Sequence, residues 1–220
     1  MARQFRQSQQ CLEPPAAAAA WQYGWGEFDD ATQRVKTFQR LPHFTGSAFQ
    51  GGPALPDTKI GWVMLNESGG HPGNDPQHAA IRRWVAPHAG VVSITGSLSH
   101  AVYQGDGVRG RIVSSQLGEL GHWLVHNSKA ETRIKRVAVQ RGDTIDFVTD
   151  CFKTVEHDSF TWNVTVTFSG DDLNSGVPRP EAWDTKGDFA ASARLQHQPL
   201  TVWEKYAQVL LLANELVFVD

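Results

Sequence analysis

The sequence contains few cysteines and no block of like charge. Cys11 and Cys151 are the only cysteines among 220 residues, so neither a disulfide framework nor a multi-thiolate metal site can be built. The formal net charge of −3 is spread along the chain, which argues against nucleic acid as a partner. No apolar run approaches the roughly 20 residues that a membrane span needs. We therefore expect neither a nucleic-acid partner nor a membrane span.

The signatures of several enzyme classes are also missing. The chain has no G-x-S-x-G elbow, no H-E-x-x-H and no Walker sequence. It has no C-x-x-C-H for haem attachment, so we expect no haem in this chain. Glu119, Glu131 and Glu156 could supply a carboxylate pair for glycoside hydrolysis, but nothing in the sequence singles out two of them. Since a catalytic triad can also be assembled in space, enzyme activity stays undecided, and a non-catalytic role is favoured.

The chain divides by composition into four predicted segments. Residues 1–20 are polar and then Pro/Ala-rich, which predicts a disordered leader, and Ala16–Ala20 is shorter than the roughly 7–15 apolar residues of an export signal. The predicted division is a leader at 1–20, a β-sandwich domain at 21–169, a linker at 170–198 and a C-terminal helix at 199–220. Leu200, Trp203 and Ala207 follow Pro199 at three- and four-residue spacing, which predicts an amphipathic helix.

The central segment alternates apolar and polar residues, as half-buried strands do. In "FTWNVTVTF", the apolar side chains from Phe160 to Phe168 alternate with Thr and Asn, and "VVSITGSLSH" repeats the pattern. Further strands are expected near 60–65, 81–85, 109–115, 122–126, 133–139 and 145–147. Many short strands separated by Gly, Pro, Asn and Asp predict a mostly β, jelly-roll-like antiparallel sandwich.

Three glycine-containing loops hold the candidate ligand-binding residues. They are "GWGEF", "PHFTGSAFQGG" and "GGHPGNDPQH", and they contribute Trp25, His43, Phe49, His71 and Asp75. Aromatic rings at such loops can stack on sugar rings while polar neighbours bind the hydroxyl groups. The alternative is that these loops only cover one end of the sandwich. Among the eight tryptophans, the periodicity places Trp84, Trp162 and Trp203 in a core, whereas Trp25, Trp62 and Trp123 lie beside glycines.

Metal binding is considered at two places. His71 and His78 are spaced too widely for an ordinary zinc pair. The only cofactor that the sequence suggests is a structural calcium ion, which needs only oxygen ligands. Its candidate ligands are Glu27 and Asp29, where the sandwich begins, and Asp158, at the start of the last strand. The alternative is that these carboxylates are solvated at the surface.

The stretch "GDGVRGRIVSS" reads as a turn followed by a strand. Gly105 and Gly107 permit positive φ on both sides of Asp106. In the strand that follows, side chains alternate between the two faces, so Val108 and every second residue after it are expected to face the core. A phosphate cradle would need a helix after the glycines, and the pattern indicates a strand instead. Arg109 and Arg111 are expected to face outward, either as solvated charges or as ligands for an anionic glycan.

Several stretches together resemble known proteins. "YGWGEFD", "FQRLPHFTGSAFQGG", "LPDTKIGWVML", "GGHPG", "GDGVRGRIVSS" and "AQVLLLANELVFVD" resemble the C-terminal parts of large planctomycete-type surface proteins that carry a cytochrome c module. The pattern "RRWVAPHAGVVSITGSL…GDGVRGRI" is similar to jelly-roll modules of secreted bacterial carbohydrate-active proteins.

This resemblance implies an extracytoplasmic, non-catalytic accessory module that binds polysaccharide. A domain that docks to other modules of a multidomain protein is the first alternative, and a polysaccharide-degrading enzyme is the second. Calcium would be a structural ion in such a module.

Overall fold

The computed structural model describes residues 20–168 and 181–189, together with Trp203 and Tyr206. Within these ranges, antiparallel strands form two large sheets and one short hairpin. In spatial order, the first sheet contains β12 (Gly118–Val125), β11 (Val108–Ser114), β14 (Thr144–Asp150), β9 (Ala79–Val85), β1 (Trp21–Gly26) and β4 (Gln39–Arg40). The second contains β13 (Ser128–Val139), β10 (Gly90–His100), β15 (Phe160–Phe168), β8 (Gly69–His71), β7 (Met64–Asn66), β6 (Ala48–Gln50) and β5 (His43–Phe44), and β16 (Ala182–Asp184) pairs with β15. The hairpin is β2 (Phe28–Asp29) with β3 (Arg34–Val35).

The two sheets enclose one apolar core. Trp84 and Phe147 of the first sheet are buried with Leu98, Trp162 and other apolar residues of the second. Phe147 meets Trp162 edge to face at a centroid distance of 5.7 Å. The prediction of a mostly β, antiparallel sandwich is therefore confirmed, because the period-2 strands bury one face each, as such strands must.

The long strands agree with the predicted positions. In β15, every second residue from Phe160 to Phe168 is buried. The strand expected near 60–65 is shorter: only Met64–Asn66 forms β7, because residues 58–60 and 62 are turns and Gly61 has a φ of +66°. Cys151 is buried with a free thiol.

A second apolar cluster lies on the outer face of the first sheet. Ile81, Val113 and Val148 point away from the main core and pack with Phe28 of the short hairpin. Phe38, just beyond the hairpin, packs against the same cluster. Residues 28–38 therefore cover part of a sheet face that the alternation alone predicts to be solvated.

The predicted leader and the C-terminal helix lie almost wholly outside the described residues. Of segment 199–220, only Trp203 and Tyr206 are described, and Trp203 is 80% exposed rather than in a core. Within the predicted linker, residues 181–189 contain β16, and Phe189 is buried against the main core. Within the described ranges, no helix has the length and apolar character required to cross a membrane.

Candidate functional site

Two of the three predicted loops meet at one end of the sandwich. The indole of Trp25, from β1, stacks on the imidazole of His78 with centroids 5.2 Å apart and planes 20° apart. His78 Nδ1 lies 2.8 Å from Asp75 Oδ1, and the same oxygen accepts a hydrogen bond from the Gln77 amide at 2.8 Å. Asp75 thus caps the short 3₁₀ turn Pro76–His78 and holds the ring that covers Trp25.

An open cleft of about 540 Å³ lies beside this stack. It is lined by Glu27, Phe28, Asp29, Asp30, Ala31, Asp75, Pro76 and Gln77. Four of these eight residues are acidic. The cleft therefore presents hydrogen-bond acceptors over a short distance, with Phe28 and Pro76 as its apolar part.

The cleft carboxylates are held in place by local contacts. Glu27 Oε2 lies 3.0 Å from Lys36 Nζ. Asp29 accepts hydrogen bonds from the Thr32 hydroxyl at 2.8 Å and the Ala31 amide at 2.9 Å, and these bonds lower the pKa of Asp29. A carboxylate has about four acceptor positions, so each group keeps capacity for a ligand's donors.

Trp25 itself is half-buried and already has protein partners. Besides His78, Lys59 Nζ lies 5.4 Å from its ring centroid. Residues 51–62 therefore reach the same end of the sandwich as Trp25. Neither Trp25 nor His78 lines the cleft, but both are close to it in sequence, because Glu27 follows Trp25 by two residues and Gln77 directly precedes His78.

His71 lies close to the cleft loop but faces different partners. Its Nδ1 lies 2.7 Å from the Pro72 carbonyl oxygen, and its ring centroid is 6.2 Å from that of Trp62. Burial lowers the pKa of His71, and the contact with Pro72 opposes this shift only partly. Trp62 is 43% exposed. His71 and Trp62 form a neighbouring surface that does not line the cleft.

The structure corrects the prediction for Phe49. Its side chain is fully buried and stacks on Tyr23 at a centroid distance of 4.9 Å, so it cannot reach a ligand. His43 is half-buried on β5, where it pairs with Gln50 of β6. Neither residue lines the cleft.

The prediction that Arg111 is a solvated or ligand-binding charge is also corrected. The side chain points outward as expected, but the hairpin covers it: its guanidinium lies 4.4 Å from the Phe28 ring centroid. Arg111 is buried and pairs with Asp150 and with Asp30, the latter at 3.2 Å. Arg109 keeps partial exposure and donates to Asp150 at 3.1 Å.

The predicted calcium ligands do not form one cluster. Glu27 and Asp29 line the cleft, whereas Asp158 is buried beside Asp106 and Asp150. Burial, together with the neighbouring carboxylates of Asp106 and Asp150, raises the pKa of Asp158 to about 7. In residues 20–168 and 181–189, no group of three or more His, Cys, Asp or Glu side chains is arranged as metal ligands.

Sequence reasoning missed His78, Lys59 and Gln77 as neighbours of the site. A signal for His78 was present, because Asp75 followed by Pro76 is a helix-start pattern and residue i+3 then lies beside the capping side chain. The approach of Lys59 to Trp25 had no such signal, since the two residues are far apart in sequence.

No known protein family matches the sequence, and no curated protein matches it. Two solved structures are similar to parts of the chain. The C-terminal CBM6 of LamC, a marine laminarinase from Zobellia galactanivorans, has 16% identity and a TM-score of 0.25, over 40% of this chain and 72% of that one. A family 35 carbohydrate-binding module from an environmental isolate has 9% identity and a TM-score of 0.29, over 53% and 82% of the two chains. At this level of similarity, neither structure bears on the site or the ligand of this chain.

Proposed function

We propose that this protein is a non-catalytic module that binds polysaccharide in the cleft beside Trp25. The observation that carries the proposal is the convergence of the Trp25–His78 stack with the cleft carboxylates of Glu27 and Asp75. Sugar hydroxyls donate well to carboxylates, and the C–H faces of a sugar ring pack on aromatic and apolar surfaces. One edge of the sandwich thus supplies both kinds of contact.

The dimensions of the cleft suit a short stretch of sugar chain. Its volume of about 540 Å³ falls within the roughly 300–1,000 Å³ of ordinary ligand sites. The concentration of carboxylates disfavours an acidic glycan, so neutral polysaccharides are the expected class.

The wider context of this proposal comes from the sequence resemblance. We infer a jelly-roll accessory module in an extracytoplasmic multidomain protein of the planctomycete type. In such a protein, the module would keep its parent at a polysaccharide surface. A structural calcium ion would be compatible with this setting.

Titration of the full chain with soluble plant and algal polysaccharides tests the proposal. Calorimetry should show binding to a neutral polysaccharide, and Asp75→Asn should weaken it at least about tenfold while the neutral amide keeps the cap. Asp143→Asn is the matched control, because Asp143 also caps a turn and does not line the cleft. Equal polysaccharide affinities of the two variants would show that the polysaccharide does not bind in the cleft. No binding, or the release of reducing ends, would overturn the proposed function.

Trp25→Ala should weaken the same binding by roughly ten- to hundredfold, the loss expected for removing about 1–3 kcal/mol of aromatic contact. Trp62→Ala is its control, because Trp62 is an exposed tryptophan whose ring lies beside His71 rather than His78. A stronger effect of Trp62→Ala would place the ligand on the His71 surface instead.

Docking to another protein module is the second candidate function. Tyr103 is 73% exposed and Leu124 is 52% exposed, which are high values for large apolar side chains. If no polysaccharide binds, these residues are the first to substitute in tests of association with other modules of a parent protein.

A further inference from the structure

Two carboxylates near the turn "GDG", of which Asp158 is buried and Asp106 is half-buried, have buried oxygens without partners. Asp158 is 0% exposed, and neither of its oxygens accepts a hydrogen bond from any described residue. Asp106 Oδ2 is also buried and unpartnered among the described residues, while Asp106 Oδ1 accepts hydrogen bonds from the Thr154 hydroxyl at 2.7 Å and the Thr154 amide at 3.3 Å. Buried acceptors of this kind are costly unless something binds them.

The surrounding charges make this arrangement more costly still. Asp106 and Asp150 both act on Asp158 as like charges. The guanidinium groups of Arg109 and Arg111 donate to Asp150. Among the described residues, no Lys, Arg or His donates a hydrogen bond to Asp106 Oδ2 or to either oxygen of Asp158.

The two loops that hold this pair are fixed in position. A Cβ atom on Gly105, where φ is +75°, would lie 2.1 Å from the Glu156 carbonyl oxygen, so the loops touch through their backbones. His157 has a φ of +65°, and its carbonyl oxygen lies 2.8 Å from His100 Nε2. The backbones of the two loops that hold the carboxylates are thus in contact before any ligand arrives.

We propose that Asp106 and Asp158 bind a calcium ion at this end of the sandwich. Calcium takes six to eight oxygen ligands, and backbone carbonyls and water routinely complete a set that has few carboxylates. Two carboxylates balance its charge. The described residues contain no group of three or more His, Cys, Asp or Glu side chains that could hold a metal ion, so backbone carbonyls and water would have to supply most of the ligands, which suits calcium and not zinc.

The site differs from the calcium site expected from the sequence, since Glu27 and Asp29 do not take part. It is also independent of polysaccharide binding, because the ion would stabilise the loops 101–107 and 151–159 in the absence of a glycan. The competing explanation for the unpartnered oxygens is a proton carried by Asp158.

The test uses the full chain after treatment with a chelator, with CaCl₂ as the probe and no glycan present. Calorimetry should show one calcium ion per chain, and calcium at about 100 times its Kd should raise the Tm by about 5–10 °C. Magnesium should bind more weakly, because it requires a tighter octahedral set of ligands. No heat and no Tm shift at about 10 mM calcium would overturn the proposal, since extracellular sites bind at about 1 mM or below.

Substitutions distinguish a calcium ion bound by Asp106 and Asp158 from a proton carried by Asp158. Asp158→Asn and Asp106→Asn should each weaken calcium binding at least about tenfold, because affinity follows the number of ligand charges. Glu131→Gln removes an exposed carboxylate of β13 and should leave binding unchanged. If wild type does not respond to calcium and Asp158→Asn raises the Tm in chelator, Asp158 carries a proton and the proposal fails. If Asp158→Asn does not fold, the calcium titrations of the wild type and of Asp106→Asn still test the proposal.

Discussion

Arg82 Nη1 donates to the carbonyl oxygen of Trp162 at 2.6 Å, from one sheet of the sandwich to the other. Its Nη2 donates to the carbonyl oxygens of Asn66 at 2.6 Å and Gly69 at 2.9 Å, also in the second sheet region. Burial lowers the pKa of Arg82 to about 10, so the guanidinium stays charged at neutral pH. A buried cation that is bound by three carbonyl oxygens thus joins the two sheets.

Replacing Arg82 should be among the most damaging single changes. Arg82→Met removes the side-chain donor of three carbonyl oxygens, two of them in buried hydrogen bonds, and we expect the free energy of unfolding to fall by at least about 3 kcal/mol. Arg82→Lys should restore only part of this loss, because an ammonium group cannot bond three carbonyls with the planar geometry of a guanidinium. Urea unfolding measures the free energy of unfolding of both variants.

The control for Arg82 is Arg133→Met on β13, where the side chain is exposed. It should change the free energy of unfolding by no more than about 0.5 kcal/mol. Similar losses for Arg82→Met and Arg133→Met would show that the contacts between the sheets contribute little.

The close approach of Gly105 to Glu156 gives a second prediction. Gly142 has a similar φ of +89°, but nothing lies within 4 Å of its Cβ position. Gly142→Ala should therefore cost only the strain of a left-handed alanine, about 1–2 kcal/mol. Gly105→Ala adds a backbone clash and should cost about 3 kcal/mol or more. Equal losses in urea unfolding would mean that the loops separate easily.

The half-buried imidazole of His71 predicts a dependence of stability on pH. Its pKa in the folded protein lies below the ordinary value of 6.5, so the unfolded chain binds the proton more readily. The free energy of unfolding should therefore decrease as the pH falls from about 6.5 to the folded pKa, and then stop changing through this group. NMR titration of the folded and the urea-unfolded chain gives the two pKa values.

His71→Gln should remove this component and give a flatter pH profile between about 6.5 and the folded pKa. Burial and the Pro72 contact are the causes of the shift, so no charged partner is lost in the variant. An unchanged profile, or a folded pKa at or above the unfolded one, would contradict the assignment.

The sequence predicts the long strands well and their environment less well. Alternation in β15 and β11 identifies both strands and the inward side chains, because period 2 is a local property of the backbone. Burial of Arg111 was not predictable, since it depends on the hairpin of residues 28–35, about 80 residues earlier. Phe49 was misread because β6 has only three residues, which is too short to show a period.

The sequence likewise does not show which distant residues meet at the candidate sites. Trp25 and Asp75 were predicted together because their glycine-containing loops look alike, and the structure brings both to one end of the sandwich. The pairing of Asp106 with Asp158 joins residues about 50 positions apart. Neither carboxylate has a sequence neighbour that indicates its partner, so only the fold reveals the pair.

Arg109 and Arg111 provide the last prediction, because alternation places them side by side on β11 and the hairpin buries only one of them. Arg111 Nε lies 3.2 Å from Glu119 Oε2, in addition to its contacts with Asp150 and Asp30. Arg111→Met would remove one of the cations that balance the charge of the buried Asp150, and we expect the free energy of unfolding to fall by about 3–5 kcal/mol. Arg109→Met removes a partly exposed partner of Asp150 and should cost about 1 kcal/mol.

Arg109→Met also tests whether Arg109 contacts a glycan. Because Arg109 binds Asp150, which does not line the cleft, this variant should not change polysaccharide affinity by more than about twofold at a temperature where it is folded. Arg111→Met cannot serve as this test, because Arg111 contacts Phe28 and Asp30, which line the cleft. Urea unfolding gives the stabilities, and titration calorimetry gives the affinities. If Arg109→Met abolished binding to an acidic polysaccharide, the ligand would lie on the outer face of the first sheet and would not be neutral.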